Sequence, residues 1–362
     1  MRIVTCVGTR PEVVKLSETI KELDRRTQHV LIHTGQNFSP ELNQIFFSDL
    51  QLRAPDYALN AAGDTACQSV ANIISQLEPI LKQERPDAVL VLGDTNSCLA
   101  TAYVAKRLKI PFFHCESGNR CYDERVPEEI NRRAIDHISD INMPYSDRAR
   151  DNLIREGLPL DRIIKTGSPM NEVLGANEFM IEASDILNTL NLKPQKYFLV
   201  SLHREENLTP ERIYAFQVML VQLGNQYNLP VIVSLHPRTR PLLMITSSDT
   251  IKFFKPFGFL DYCKLQKNAR VVLSDSGTIS EEASILQFRA LNLRQTHERQ
   301  EAMEEAAVVM SDFDRVLQNI PIIEAQGLPC TPDDYCPMNV SEKVVRILLS
   351  YTDYVNRVVW GR

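Results

Sequence analysis

Between His114 and Arg132 the chain reads HCESGNRCYDERVPEEINR, placing five carboxylates and three guanidinium groups within nineteen residues. Carboxylates held in different environments, one neutral while another is ionised, are what proton transfer on the two faces of a substrate requires. Glu116 and Glu128 are the candidates here. Pro127-Glu128-Glu129 has the form of a helix entry, where proline suits the first turn and acids profit from the positive end of the helix dipole. That role fits Glu129, whereas Asp123, Glu124 and Arg125 belong to the connecting loop. A third carboxylate, Asp94, lies in Gly93-Asp94-Thr95-Asn96. It reads either as a catalytic acid or base or as a cap for the helix that follows.

A second group of residues has the chemistry of anion binding. Gly8-Thr9-Arg10-Pro11-Glu12 is either an ordinary strand-to-helix turn or a phosphate site built from helix-start N–H groups with Arg10 beside them. His203-Arg204 and His236-Pro237-Arg238 each pair a histidine with an arginine. Ser276-Gly277-Thr278 offers small residues and free N–H groups before a helix carrying Glu281 and Glu282. Glu282 is placed to accept hydrogen bonds from ribose hydroxyls, and Arg299 supplies a further cation. The spaced glycines of a dinucleotide fingerprint are missing. The eight cysteines contain no Cys-x-x-Cys pair, which argues against a zinc site and a disulfide framework. No cofactor and no metal is expected.

These residues need a scaffold that brings turns together. Short apolar runs at 2–7, 29–35, 87–94, 111–117, 140–146 and 163–168 read as strands, with helical patterns such as 70–84 and 96–108 between them. The runs are too uniformly apolar for a strand with one wet face, so they suit a buried parallel sheet. The pattern restarts at 196–205, 230–238, 251–256, 269–278 and 290–294. The expected fold is α/β, with two doubly wound Rossmann-like domains and an interdomain cleft. The boundaries fall at 1–167 for a first domain carrying the carboxylates and 168–344 for a second that binds the nucleotide. A terminal helix over 345–362 packs back on the first domain, and Gly167-Ser168-Pro169 is the hinge. Every candidate above follows a strand, where such sheets bind ligands.

Composition narrows the function. The 362 residues suit two domains, and 44% apolar with 24% charged residues is ordinary for a globular protein. Net charge is −6, a poor match for nucleic acid. No apolar run reaches membrane-spanning length, and the N-terminus is no signal peptide, so a cytoplasmic location with reduced thiols is expected. Together the residues predict an enzyme acting on a nucleotide-linked neutral molecule, a sugar, by acid–base chemistry.

The motifs GTRPE at 8–12, GDT at 93–95, E-x-G at 116–118, PEE-x-NR at 127–132, TGSP at 166–169, HRE at 203–205, DSG-x-x-x-EE at 275–282 and ER at 298–299 occur in order along nearly the whole chain. In this it resembles the non-hydrolysing UDP-N-acetylglucosamine 2-epimerases, which have the B-type glycosyltransferase fold. GNRCYDERVPEEINR, SDINMPYSD, SDSGTISEEAS and LRQTHER are most similar to the branch that makes UDP-N-acetyl-L-fucosamine from UDP-2-acetamido-2,6-dideoxy-L-talose, for capsule or O-antigen precursors. The resemblance implies elimination of UDP to a 2-acetamidoglycal and its re-addition, in a closed cleft and a homodimer. It assigns Asp94, Glu116, Glu128 and His203 to catalysis. It assigns Arg10, Arg204, His236, Ser276, Gly277, Thr278, Glu282 and Arg299 to UDP-sugar binding. The chain departs from the pattern at Gln287 and Arg289, where glycine and proline are usual, and at Gln300 and Ala302, where proline and glycine are usual. In the glucosamine branch of the family that it resembles, a Gln-His in the loop after the second strand binds a regulatory second UDP-sugar; here that position reads Gln36-Asn37. The alternatives are the same reaction on UDP-N-acetylglucosamine, a hydrolysing epimerase, a glycosyltransferase and an inactive UDP-sugar-binding protein.

Overall fold

The computed structural model describes residues 1–36, 40–235 and 239–362. They form two compact units, 1–175 with 334–362 and 176–333. In the first unit the strands are β1 (Arg2–Val7), β2 (Gln28–His33), β3 (Tyr57–Ala58), β4 (Ala88–Leu92), β5 (Phe112–Cys115) and β6 (Ile141–Met143). They lie parallel in the order β3-β2-β1-β4-β5-β6. The helices between them include α1 (Arg10–Arg26), α2 (Pro40–Asp49), α3 (Ala66–Glu84), α4 (Asn96–Arg107), α5 (Pro127–Ile138) and α6 (Asp147–Arg155).

The second unit repeats the plan with β7 (Phe198–Leu202), β8 (Val231–Leu235), β9 (Ile251–Phe254), β10 (Val271–Ser274), β11 (Ala290–Asn292) and β12 (Val309–Met310). All are parallel, in the order β12-β11-β10-β7-β8-β9. Successive strand residues point to opposite faces, and here both faces are apolar. Phe198, Val200 and Leu202 enter one cluster while Leu199 enters the other, and Val231 and Val233 likewise face away from Ile232. This is why the strands read as unbroken apolar runs. In both sheets the chain returns after its third strand to the other side of the first, so the order reverses between β1 and β4 and between β7 and β10. The loops beyond the carboxyl ends of those strands are where a doubly wound sheet opens for a ligand.

The segment 163–168 is not the strand its sequence suggests. It makes a single bridge, Asn142 with Ile163, and then turns at Gly167 with φ 86°. The Ser168 N–H donates to the Asp334 carbonyl at 2.9 Å, so Gly167-Ser168-Pro169 lies inside the first unit and is not the point of passage. The chain leaves that unit after Gly175 and returns at Asp334. The sequence reading drew these lines at 167/168 and 344/345. The terminal helix runs from Val340 to Val358 and belongs whole to the first unit, with Ser341 anchored to Glu172. The two-residue strands β3 and β12 escaped the sequence reading because so short a run has no periodicity to detect. Among the described residues, no helix is long and apolar enough to cross a membrane.

Candidate active site

At the switch point of the first unit, the turn from β1 into α1 is closed by Glu12, whose carboxylate accepts the Gly8 and Thr9 N–H groups, each at 2.6 Å. The Thr95 hydroxyl and the Cys98 thiol donate to its other oxygen. Burial pushes this carboxyl up in spite of its four donors. A Cβ at Gly8 would fall 2.1 Å from Ser97 Oγ, so glycine is what lets this turn lie against the start of α4. Arg10 is half-buried, with its guanidinium 5.6 Å from the Phe46 ring centre.

Asp94 does not cap α4. Thr95 does, its hydroxyl accepting the Cys98 N–H, and the Asp94 carboxylate instead receives Arg132 Nε at 3.0 Å and Nη2 at 2.6 Å. Asn131 Nδ2 holds the Asp94 carbonyl and the Asn96 side chain, both at 3.0 Å. The Asn-Arg of PEE-x-NR is thus a clamp from α5 onto the neighbouring acid turn. Sequence reasoning quoted these two residues without giving them that part.

Glu116 follows β5 with φ 64°, a left-handed backbone that costs a non-glycine residue on the order of 1 kcal/mol. Its carboxylate pairs with Lys15 Nζ at 2.7 Å, and both side chains are largely buried. Lys15 comes from α1 and passes 5.6 Å from the Tyr145 ring centre. It too was missed. Its only signal is its place one helical turn beyond the GTRPE turn, with polar chemistry among valines and leucines.

Glu128 is half-buried in the first turn of α5. Its neighbour Glu129 is fully buried and does more than complement the helix dipole. It accepts the Cys121 and Tyr122 N–H groups and Arg132 Nη1 at 2.9 Å, pinning the loop that precedes the helix. The first turns of α5 therefore both carry a candidate acid and fix the turn carrying another.

In the second unit, His203 and Arg204 follow β7 and Asp275 follows β10, adjacent strands at that sheet's switch point. His203 Nδ1 lies 2.8 Å from Asp275 Oδ1. The fully buried Asp275 also accepts the His203 and Arg204 N–H groups and Asn207 Nδ2. Burial opposes its charge, but the imidazole and these donors outweigh it and hold the carboxyl far below the usual carboxylate range. Asp275 thereby fixes the orientation of the partly exposed His203 ring. Asp275 is the orienting group that the sequence reading passed over as part of a small-residue loop.

The Ser276-Gly277-Thr278 turn is knit by its own hydroxyls, Ser276 Oγ lying 3.0 Å from Thr278 Oγ1. Glu282 takes Thr278 Oγ1 at 2.7 Å and Gln266 Nε2 at 2.5 Å. A Cβ at Gly277 would meet Glu298 Oε1 at 2.7 Å and Arg204 Nη2 at 2.9 Å, so these charged groups lie directly against the turn. Arg299 is buried and paired with Glu281 at 3.1 Å. It sits at the start of the short helix Gln300–Glu304, in which Ala302 is fully buried. His236 lies outside the described residues, as does Asn37. Gln36 is engaged in the first unit, where its Oε1 accepts the Ser97 N–H and hydroxyl.

The family profile described as UDP-N-acetylglucosamine 2-epimerase matches residues 21–349. A solved structure of UDP-N-acetylglucosamine 2-epimerase from Rickettsia bellii is 47% identical and covers 100% of both chains, with a TM-score of 0.94. The Methanocaldococcus jannaschii UDP-GlcNAc 2-epimerase, solved in complex with UDP-GlcNAc and UDP, is 34% identical over 96% of this chain and 99% of that one, with a TM-score of 0.91. A Pseudomonas aeruginosa UDP-2,3-diacetamido-2,3-dideoxy-D-glucuronate 2-epimerase is 34% identical over 78% of this chain and 80% of its own.

Proposed function

Because the chain belongs to the UDP-N-acetylglucosamine 2-epimerase family of isomerases, we propose that it inverts C2 of UDP-2-acetamido-2,6-dideoxy-L-talose to give UDP-N-acetyl-L-fucosamine. The choice of a 6-deoxy sugar is supported by the motif variants at 118–132, 139–147, 274–284 and 293–299. That substrates differ within the family is supported by the diacetamido-glucuronate relative. The observation that carries the acid–base chemistry is the pair of carboxylates at neighbouring strand ends, Asp94 gripped by Arg132 and Glu116 by Lys15.

C2 of the sugar bears no acidic proton, because C1 is an acetal. The reaction therefore runs by departure of UDP from C1 with oxocarbenium character and loss of the C2 proton to a base. Protonation of the resulting 2-acetamidoglycal on the opposite face and return of UDP complete the inversion. Asp94, Glu116 and Glu128 serve the two proton transfers. His203, steadied by Asp275, serves the leaving diphosphate. Arg10, Arg204 and Arg299 offset charge growing on UDP, while Ser276, Gly277, Thr278 and Glu282 hold phosphate and ribose. His236 belongs to the same binding set.

The test is turnover in D2O of UDP-2-acetamido-2,6-dideoxy-L-talose beside UDP-N-acetylglucosamine. The expected product carries deuterium at C2, and a C2 hydrogen retained from substrate would sink the elimination route. Faster turnover of UDP-N-acetylglucosamine would select the second reading, which the likeness to the Rickettsia and Methanocaldococcus UDP-N-acetylglucosamine 2-epimerases supports. Release of free sugar would mean a hydrolase, and UDP binding without turnover an inactive binding protein.

A further inference from the structure

Behind the acid-bearing turns of the first unit lies a chain of four ionisable groups, three of them buried and the fourth, Glu156, half-buried. His114, on β5, is fully buried, with Nε2 2.7 Å from the Gly93 carbonyl and Nδ1 2.9 Å from Asp136 Oδ1. Asp136, on α5, is also fully buried, and its other oxygen accepts the Gly118 N–H at 3.0 Å and Arg120 Nη1 at 2.7 Å. Arg120 Nη1 reaches the Asn119 carbonyl, and its remaining nitrogens form a two-point pair with Glu156 at 2.7 and 2.6 Å.

A fully buried arginine and aspartate are costly to desolvate, and replacing such a set by apolar groups is often neutral or stabilising. Stability alone is therefore a weak reason for it. Its attachments are specific, however. Gly93 immediately precedes Asp94, and Gly118 and Asn119 follow Glu116, which sits in the strained left-handed conformation. One carboxylate, Asp136, thus ties both acid turns to the helix that also supplies Glu128.

We propose that His114, Asp136, Arg120 and Glu156 are positioning residues that hold the Asp94 and Glu116 turns at their working spacing. The inference rests on the epimerase reading for its kinetic arm only. His114→Gln keeps an N–H near the position of Nε2, facing Gly93. His114→Asn keeps one near Nδ1, facing Asp136, and loses the Gly93 tether.

The experiment measures kcat and KM for C2 epimerisation and hydrogen exchange over 93–96 and 116–120, on variants of matched thermal stability. His114→Asn should lower kcat roughly 10- to 100-fold, the scale of an ångström-level misplacement, with little change in KM and faster exchange at 93–96. His114→Gln should recover most of kcat and the slow exchange. Equal kcat and equal exchange in both variants and the wild type overturns the proposal, as does a kcat loss that is the same in both. A wild-type protein that epimerises none of the UDP-sugars refutes the functional reading, and the exchange comparison alone then decides the tether.

Discussion

Glu116 combines two costs that a purely structural residue would shed, a left-handed backbone and a largely buried ion pair with Lys15. Glu116→Gln removes the carboxylate facing an ammonium that is 3% exposed, so a loss of about 3–5 kcal/mol is expected. The double variant Lys15→Met/Glu116→Gln should recover part of it, since the charge goes with its partner. Urea unfolding of the wild type, the two single variants Glu116→Gln and Lys15→Met, and the double variant checks this, and additive losses would show the pair to be uncoupled. Glu128 carries a different expectation, because it lies half-buried at a helix entry. Glu128→Gln should cut kcat about a hundredfold or more, the scale of a lost acid–base group, with near-normal thermal stability. Full turnover would leave it only its helix-dipole role.

At the level of elements, α5 does the most. Its first turn presents Glu128, its second clamps the Asp94 turn through Asn131 and Arg132, and Asp136 in its last turns ties down 118–120. The helix Ile279–Leu286 is less well finished, since Gln287 terminates it at φ 57°, ψ 56°. Glycine adopts that conformation without the Cβ penalty. The Gln287 amide donates to the Ser284 and Pro329 carbonyls, which returns part of the cost. Gln287→Gly should therefore stabilise the protein by only about 0.5 kcal/mol, read from the urea midpoint with an unchanged m-value. The opposite holds at Gly277, where Gly277→Ala would push against Glu298 and Arg204. UDP affinity should fall about tenfold, the equivalent of ~1.4 kcal/mol. Calorimetric titration would reveal it, and unchanged affinity would mean Arg204 is not a phosphate ligand.

For the whole molecule, two buried carboxylates contribute to the acid limb of stability. Asp136 and Asp275 are both lowered on folding. Burial alone would raise each, and it is overcome by His114 and Arg120 in one case and by His203 and backbone donors in the other. A depressed carboxyl contributes stability that is fully present above its unfolded value near ~3.9 and is lost as pH falls through the folded value. Unfolding free energy should thus be flat with respect to these two groups at neutral pH and drop below about pH 4. Asp275→Asn should be less stable at pH 7 yet lose less on acidification, as urea titrations at several pH values would reveal.

The sequence by itself determined the two parallel sheets, since unbroken apolar strands alternating with helices leave few other ways to bury both strand faces. It also determined which turns carry chemistry, because glycine, acid and small-residue clusters follow the strands. Boundaries at 163–175 and 334–344 were not legible, since a single bridge and a backbone contact between Ser168 and Asp334 leave no periodic signal. The partners of the acids were decided only in three dimensions. Arg132 reaches Asp94 across 38 positions, Lys15 reaches Glu116 across 101, and Asp275 reaches His203 Nδ1 from the adjacent strand end. Local pattern fixes an element's type and its buried face, but side-chain pairing at long separation is set by strand order and register. That is why Asp94, legible in sequence as either an acid–base group or a helix cap, is in the fold a carboxylate held from another helix.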